Sequence, residues 1–331
     1  MTEDTKNHDI DFNNRIPLED LKNTADLIKQ ELGKVIIGQE SFIELLIVAL
    51  LANGHVLIEG VPGIAKTITA KLFAKVLKTD FSRIQFTPDL MPSDVLGTSI
   101  LNMKTSEFEF KKGPIFSNIV LIDEINRAPA KTQAALFEAM EERQATIDGT
   151  TYTFKAPFMV LATQNPIDQE GTYALPEAQL DRFIFKIKVD YPSIEDEIKI
   201  IETHHERKGK LPQTLINPIL DTIKLADFKD KTQSILVEEK IIKYIADIVF
   251  KTRNHSHLYL GGSPRASISI LNTSKAYAAI NGRDFVTPED VKKVVVPVLN
   301  HRIILMPERE MEGVSAENVI DMIVQSVEVP R

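Results

Sequence analysis

The sequence contains no cysteine. That single absence removes disulfide frameworks, zinc–thiolate sites and thiol nucleophiles, so any catalysis must run on oxygen, nitrogen or a metal held by carboxylates. A reducing compartment fits it best. A membrane-length apolar run is also missing: the greasiest stretch, Phe42 to Leu51, falls well short of the roughly 20 residues a spanning helix needs. Met1 to Arg15 is polar and lacks the apolar segment of an export signal. The expectation is a cytoplasmic protein with no membrane insertion. Positive charge is not in surplus either. Lys and Arg number 39 against 47 Asp and Glu, a formal net charge of −8, which argues against a nucleic-acid partner because a phosphate backbone needs clustered cations. Lys111-Lys112 is too short to form such a stripe.

What remains is a chain of 331 residues, 43% hydrophobic and 26% charged, enough for two cored units at roughly 150 residues each. Residues 1–16 lack periodicity and read as a disordered leader. Leu18, Leu21, Ala25, Ile28 and Leu32 then fall at helical spacing, with Gly33 as a stop. Ser41 is the expected cap of a second helix that Asn53-Gly54 closes. Short strand-like segments follow at His55 to Glu59, Arg83 to Phe86, Ile119 to Ile122, Phe158 to Ala162 and Phe183 to Val189, with helical patterns between them. Strands alternating with helices predict an α/β fold, a parallel sheet flanked by helices, with ligands beyond the carboxyl ends of the strands.

Two stretches interrupt the alternation. Residues 88–112 are irregular and read as a projecting excursion, whereas residues 145–154 alternate around Asp148-Gly149, a hairpin signal. Beyond Tyr191-Pro192 the strands stop, and Ser193, Ser263-Pro264 and Thr287-Pro288 mark helix starts. The expected division is an α/β unit over residues 17–190 and a smaller all-α unit over residues 191–331.

The chemistry concentrates at strand ends. Gly60-Val61-Pro62-Gly63-Ile64-Ala65-Lys66-Thr67 approaches the phosphate-loop pattern G-x-x-x-x-G-K-[ST], with Ala65 at the second Gly position and Ile68 continuing into the helix. Backbone N–H groups at such a helix start cradle phosphates, Lys66 adds a point charge, and the Thr67 hydroxyl ligates Mg²⁺. The competing reading is an ordinary Gly- and Pro-containing turn. Asp123-Glu124, ending the strand from Ile119, weighs against it. A phosphate-loop enzyme needs one acid there to hold Mg²⁺, and a second can accept a proton from the attacking water. Paired histidines at His204-His205 and His255-x-His257 lack metal-ligand spacing and read as solvated or interface groups.

The motifs Gly60 to Thr67, Leu121 to Pro129, Ala162-Thr-Gln-Asn-Pro166 and Glu170 to Phe183, with Gly262-Ser-Pro-Arg265, resemble the MoxR group of AAA+ ATPases over roughly residues 17–331. The resemblance implies an AAA+ core with a helical lid, ATP and Mg²⁺ as ligands, and a homo-oligomeric ring, a hexamer, with ATP at its interfaces. It implies that Asn165 orients the attacking water, that Arg182 is a finger reaching a neighbour's γ phosphate, and that Arg265 senses nucleotide from the lid. Without it, Asn165 is equally a turn former, Arg182 a partner for Asp181, and Arg265 a solvent-facing helix-start residue that the helix dipole disfavours. Arg127 is either a second inter-subunit sensor or a loop charge. Gly38-Gln39 falls where the family's adenine pocket lies, or is plain core. The excursion and hairpin match the family's helix-2 insert and pre-sensor-1 hairpin, facing a pore or partner. The implied work is chaperone-like maturation of a partner complex, often metal or cofactor insertion, with a von Willebrand factor A domain partner. A magnesium-chelatase-like motor subunit, a DNA-translocating helicase and a nucleotide-gated scaffold are the rivals.

Overall fold

The computed structural model describes residues 16–165 and 175–330. The expected leader and the stretch from Pro166 to Ala174 lie outside the described residues. The first described elements are two helices packed together, Glu19–Gly33 (α1) and Glu40–Leu51 (α2). His55–Glu59 (β1), Lys66–Val76 (α3) and Phe81–Gln85 (β2) follow. The excursion is Pro92–Leu96 (α4) with Gly97–Asn102 (β3) and Glu107–Lys112 (β4), then Ile119–Asp123 (β5) returns to the sheet. Ala130–Glu142 (α5) leads into the hairpin Gln144–Ile147 (β6) and Thr150–Thr153 (β7), then Met159–Gln164 (β8), Glu177–Leu180 (α6) and Phe183–Lys188 (β9).

The five central strands lie in the order β2-β5-β8-β1-β9, all parallel. Parallel strands covered on both faces are apolar at every position, and alternate residues serve opposite cores. Val56, Ile58, Ile119, Leu121, Met159 and Leu161 join one cluster with α1, α2 and α3. Their neighbours Leu57, Val120, Ile122, Val160 and Ala162 join the other, against Leu136, Phe137 and Met140 of α5.

After β9 the chain is mainly helical: Ile194–Glu206 (α7), Thr222–Gln233 (α8), Glu239–Arg253 (α9), Pro264–Ile280 (α10), Pro288–Leu299 (α11), Pro307–Met311 (α12) and Ala316–Ser326 (α13). Its core runs on from that of α1 and α2 without a break. Ser193 caps α7 by accepting the Asp196 N–H at 3.2 Å, and Thr287 N–H donates to Asp290 at 2.9 Å ahead of α11.

Three expectations change. Ser41 does not cap α2; Gln39 holds the cap position without a side-chain bond, and Ser41 lies in the first turn. The excursion is ordered as a short helix and a hairpin rather than irregular chain. Strands resume in the helical region, where Leu258–Leu260 (β10) pairs antiparallel with Ile304–Leu305 (β11). The Asp148-Gly149 turn forms as expected, with φ of +49° and +77°, the pair of positive values that a tight hairpin needs.

Candidate active site

Strand register gathers the site at one edge of the sheet. Glu59 at the end of β1 lies opposite Gln164 of β8, and Gln85 of β2 lies opposite Asp123 of β5. From that edge the loop Gly60 to Ala65 runs into α3. A Cβ at Gly60 would stand 2.5 Å from Ile64 Cδ1 and 2.7 Å from the Val189 carbonyl, so the backbone there tolerates no side chain. Ala65, at the N-cap of α3, has φ +64° and ψ +14°. That left-handed conformation costs an L-residue roughly 1–2 kcal/mol, which is why glycine is usual at this position. The loop keeps its shape with alanine.

The first turn of α3 has no side-chain cap, so its N–H groups are left for an anion. Lys66 folds across the loop and donates to the Gly60 carbonyl. Burial pushes its pKa down, while Asp123 and then Glu124 pull it back up. Lys66 therefore already feels the two acids at the next strand end.

Asp123 is buried at 7% exposure, accepts the Arg83 Nε–H at 2.6 Å on one oxygen, and takes the Thr163 hydroxyl at 3.2 Å on the other. Glu124 follows with φ +58° and ψ +52°, again left-handed. Its N–H donates to Thr163 Oγ1 at 3.0 Å. Its carboxylate accepts Gln85 Nε2 at 2.8 Å and lies 3.1 Å from Arg127 Nε. Arg127 thus sits against the same carboxylate, and Asn165 directly follows β8 at the same edge. Oxygen donors from Thr67 and Asp123 suit a magnesium ion, which takes few protein ligands and completes its shell with phosphates and water.

Arg83, Gln85 and Thr163 were missed in the sequence. Arg83 and Gln85 are two apart on β2 and so share a face. Polar groups at that spacing in a short strand were the available signal.

Gly38 and Gln39 adjoin the loop. Gln39 donates to the Ile64 carbonyl at 3.0 Å, and its buried Oε1 has no partner among the described residues. Gly38 has φ +72°, and a Cβ there would lie 2.6 Å from Asp196 Oδ2 of α7. Beside them opens a cavity of about 490 Å³ whose lining includes Phe42, Val189, Tyr191 and Pro297. A buried amide oxygen beside a partly apolar cavity is compatible with a base bearing an amino group.

Arg182 and Arg265 are elsewhere. Phe183 of β9 pairs with His55, the first residue of β1, so Arg182 stands at the amino edge of the sheet. The five residues of β1 separate it from the phosphate loop by on the order of 15 Å. Arg182 donates to the Phe137 carbonyl and lies 4.0 Å from Glu141. Arg265, near the start of α10, pairs with the same Glu141. Asp181 does not pair with Arg182; it is taken by Arg302 at 2.6 Å and by the Ser263 hydroxyl at 3.3 Å.

Comparison with known proteins agrees with this architecture. Residues 55–185 match the model for the ATPase family associated with various cellular activities (AAA), and residues 250–323 match the AAA lid domain. The chain is 45% identical to the uncharacterized protein YeaC of Bacillus subtilis, over 94% of this chain and 97% of that one. It is 44% identical to the chaperone MoxR1 of Mycobacterium tuberculosis, over 91% of this chain and 81% of that one. A crystal structure of a protein from Cytophaga hutchinsonii superposes with a TM-score of 0.87 at 43% identity, covering 94% of this chain and 96% of that one. With parallel core, helical lid and close relatives in agreement, the chain belongs to the MoxR type of AAA+ ATPases, enzymes that hydrolyse ATP.

Proposed function

We propose that the chain works as a ring in which each triphosphate is bound by one protomer and attacked with help from the next. The observation that carries this reading is the division of charge between two sheet edges. Lys66, Thr67, Asp123 and Glu124 stand at the carboxyl edge, while Arg182 and Arg265 stand at the amino edge, too far away to reach their own phosphate loop.

In this reading residues 17–190 bind nucleotide and residues 191–331 form the lid. The loop Gly60 to Ile68 holds the phosphates, and Gly38 and Gln39 meet the base. Glu124 takes the proton of the attacking water, which Asn165 orients. A magnesium ion on Thr67 and Asp123 would offset charge on the phosphates. Arg182 and Arg265 reach the neighbour's γ phosphate, where a guanidinium stabilises charge on the transferred group. Six such protomers make a ring, and its movement matures a partner complex in the cytoplasm. The partner is a protein with a von Willebrand factor A domain, met by the β3–β4 and β6–β7 hairpins. Support for this client work is the name chaperone carried by MoxR1.

Turnover with ATP and magnesium, measured across protein concentrations, tests the reading. Glu124→Gln should keep nucleotide binding and lose about 10²-fold or more in rate. Arg182→Ala should lose about 10³-fold or more with its own nucleotide affinity retained. Normal turnover by Arg182→Ala would sink the shared-site reading. A pull-down with Glu124→Gln should retain the partner, and deleting Asp148 to Thr151 should uncouple partner remodelling from hydrolysis.

A further inference from the structure

Glu141, in the last turn of α5, lies between the two arginines and belongs to no motif that the sequence singled out. One carboxylate oxygen accepts Arg265 Nη2, and the other lies 4.0 Å from Arg182 Nε. Phe137, one turn earlier on the same helix, accepts Arg182 Nη1 through its carbonyl. Among the described residues neither guanidinium makes a further hydrogen bond. Two like charges are therefore set side by side with one carboxylate between them, and their remaining N–H edges are unused.

The frame around them is rigid. Arg302, buried after α11, bonds Asp181 through its side chain at 2.6 Å, the Phe183 carbonyl at 2.7 Å and Ser269 of α10 at 3.3 Å. Ser263 at the head of α10 reaches Asp181 as well. These bonds fix α10 against the residues on either side of Arg182. The Met140 carbonyl, next to Glu141, is held at 3.2 Å by the ring of His55.

We propose that Glu141 is a positioning residue that holds Arg182 and Arg265 as one preorganised pair for a triphosphate on the adjoining protomer. This rests on the shared-site reading above. The carboxylate offsets repulsion between the guanidiniums and fixes both planes, so that an arriving phosphate meets donors already in place. The three side chains are 29–44% exposed, and ion pairs at such exposure contribute little to stability, so replacing Glu141 should leave the fold intact.

The test measures kcat and KM for ATP of the full chain with magnesium, for single variants and for equimolar mixtures. Glu141→Ala should lower kcat about tenfold or more and leave KM nearly unchanged, since its own phosphate loop is untouched. Glu141→Gln, which keeps one hydrogen bond without the charge, should fall between, and it serves equally if the alanine variant folds poorly. The readout that a structural role cannot produce is complementation. Mixed with Lys66→Ala, which lacks a working loop but has intact arginines, Glu141→Ala should exceed the summed activity of the two alone. Arg182→Ala mixed with Lys66→Ala is the control. If that control recovers while the Glu141→Ala mixture does not, or if Glu141→Ala turns over at the wild-type rate, the positioning role is overturned. If the control also fails to recover, the shared-site reading falls and this inference with it.

Discussion

His55 should make the fold sensitive to mild acid through one ring at the start of the phosphate-loop strand. The ring is buried, with Nδ1 accepting the Val160 N–H at 3.0 Å and Nε2 3.2 Å from the Met140 carbonyl. An acceptor role at Nδ1 puts the only ring proton on Nε2. Protonating Nδ1 would set it against an N–H and leave a charge in the core. Burial, and then the charge of Arg143, pushes the pKa from 6.5 down to about 4. The folded state therefore favours the neutral ring: its contribution is complete above the unfolded value and drains as pH falls from 6.5 towards 4. At 1.36 kcal/mol per unit this is about 3 kcal/mol in full and about 2 kcal/mol between pH 7 and pH 5. The assay is urea unfolding of the wild type and His55→Gln at steps across that range. His301, whose pKa burial also lowers, and the carboxylates titrate in both proteins and cancel in the difference. The gap between the two curves should shrink by about 2 kcal/mol from pH 7 to pH 5. A gap independent of pH would refute the reasoning, whatever the glutamine costs at neutrality.

Ala65→Gly should relieve the left-handed cap of α3, raising stability by about 1 kcal/mol in urea unfolding and keeping ATP affinity; a lower midpoint would contradict this. Arg302→Met should cost about 3–5 kcal/mol by thermal or urea unfolding, because Asp181 and three carbonyls lose a buried donor. Arg302→Lys should recover little of it, since an ammonium cannot span the same acceptors. Gly38→Ala should raise KM for ATP several-fold and leave the helical content in circular dichroism unchanged, because its Cβ meets Asp196 at a positive φ; unchanged KM would remove Gly38 from the base pocket.

Strands β1, β5 and β8 were legible because they are buried on both faces and so appear as apolar runs bounded by turn residues. The loop from β1 into α3 was legible as a strand-to-helix turn, and the phosphate donors proposed for it are consecutive backbone groups, so they lie in one stretch of sequence. The excursion lacked such a signal. Ile100, Leu101 and Phe108 of its hairpin are 47%, 48% and 76% exposed, so although Ser106 to Lys111 alternates in sequence, no buried face marks where its strands begin, end and pair. Arg83 and Gln85 became meaningful only through strand order, which places β2 beside β5 although a helix, a hairpin and a loop separate them in the chain. Glu141 and Arg265 lie 124 residues apart, and no local pattern announces such a pair. Ser41 was misplaced as a cap because α2 starts one residue earlier, at Glu40, with Gln39 in the N-cap position.

Two left-handed residues at the site separate what the backbone requires from what the chemistry requires. Ala65 and Glu124 both carry positive φ without being glycine, and each costs on the order of 1–2 kcal/mol relative to a relaxed conformation. At Ala65 the side chain is a single methyl resting against the edge of the core, so most of the cost is removable. At Glu124 it is not, because the turn must follow the buried strand β5 at once and the carboxylate must also project into the site. Thr163 holds this conformation by accepting the Glu124 N–H while donating to Asp123. One hydroxyl thus ties the proposed metal-holding acid and the proposed base to the neighbouring strand. Thr163→Val keeps the shape and removes the hydroxyl. It should lower kcat with little loss of stability beyond about 1 kcal/mol, and equal loss of kcat and of the fold would show that the left-handed turn is structural rather than a means of aiming Glu124.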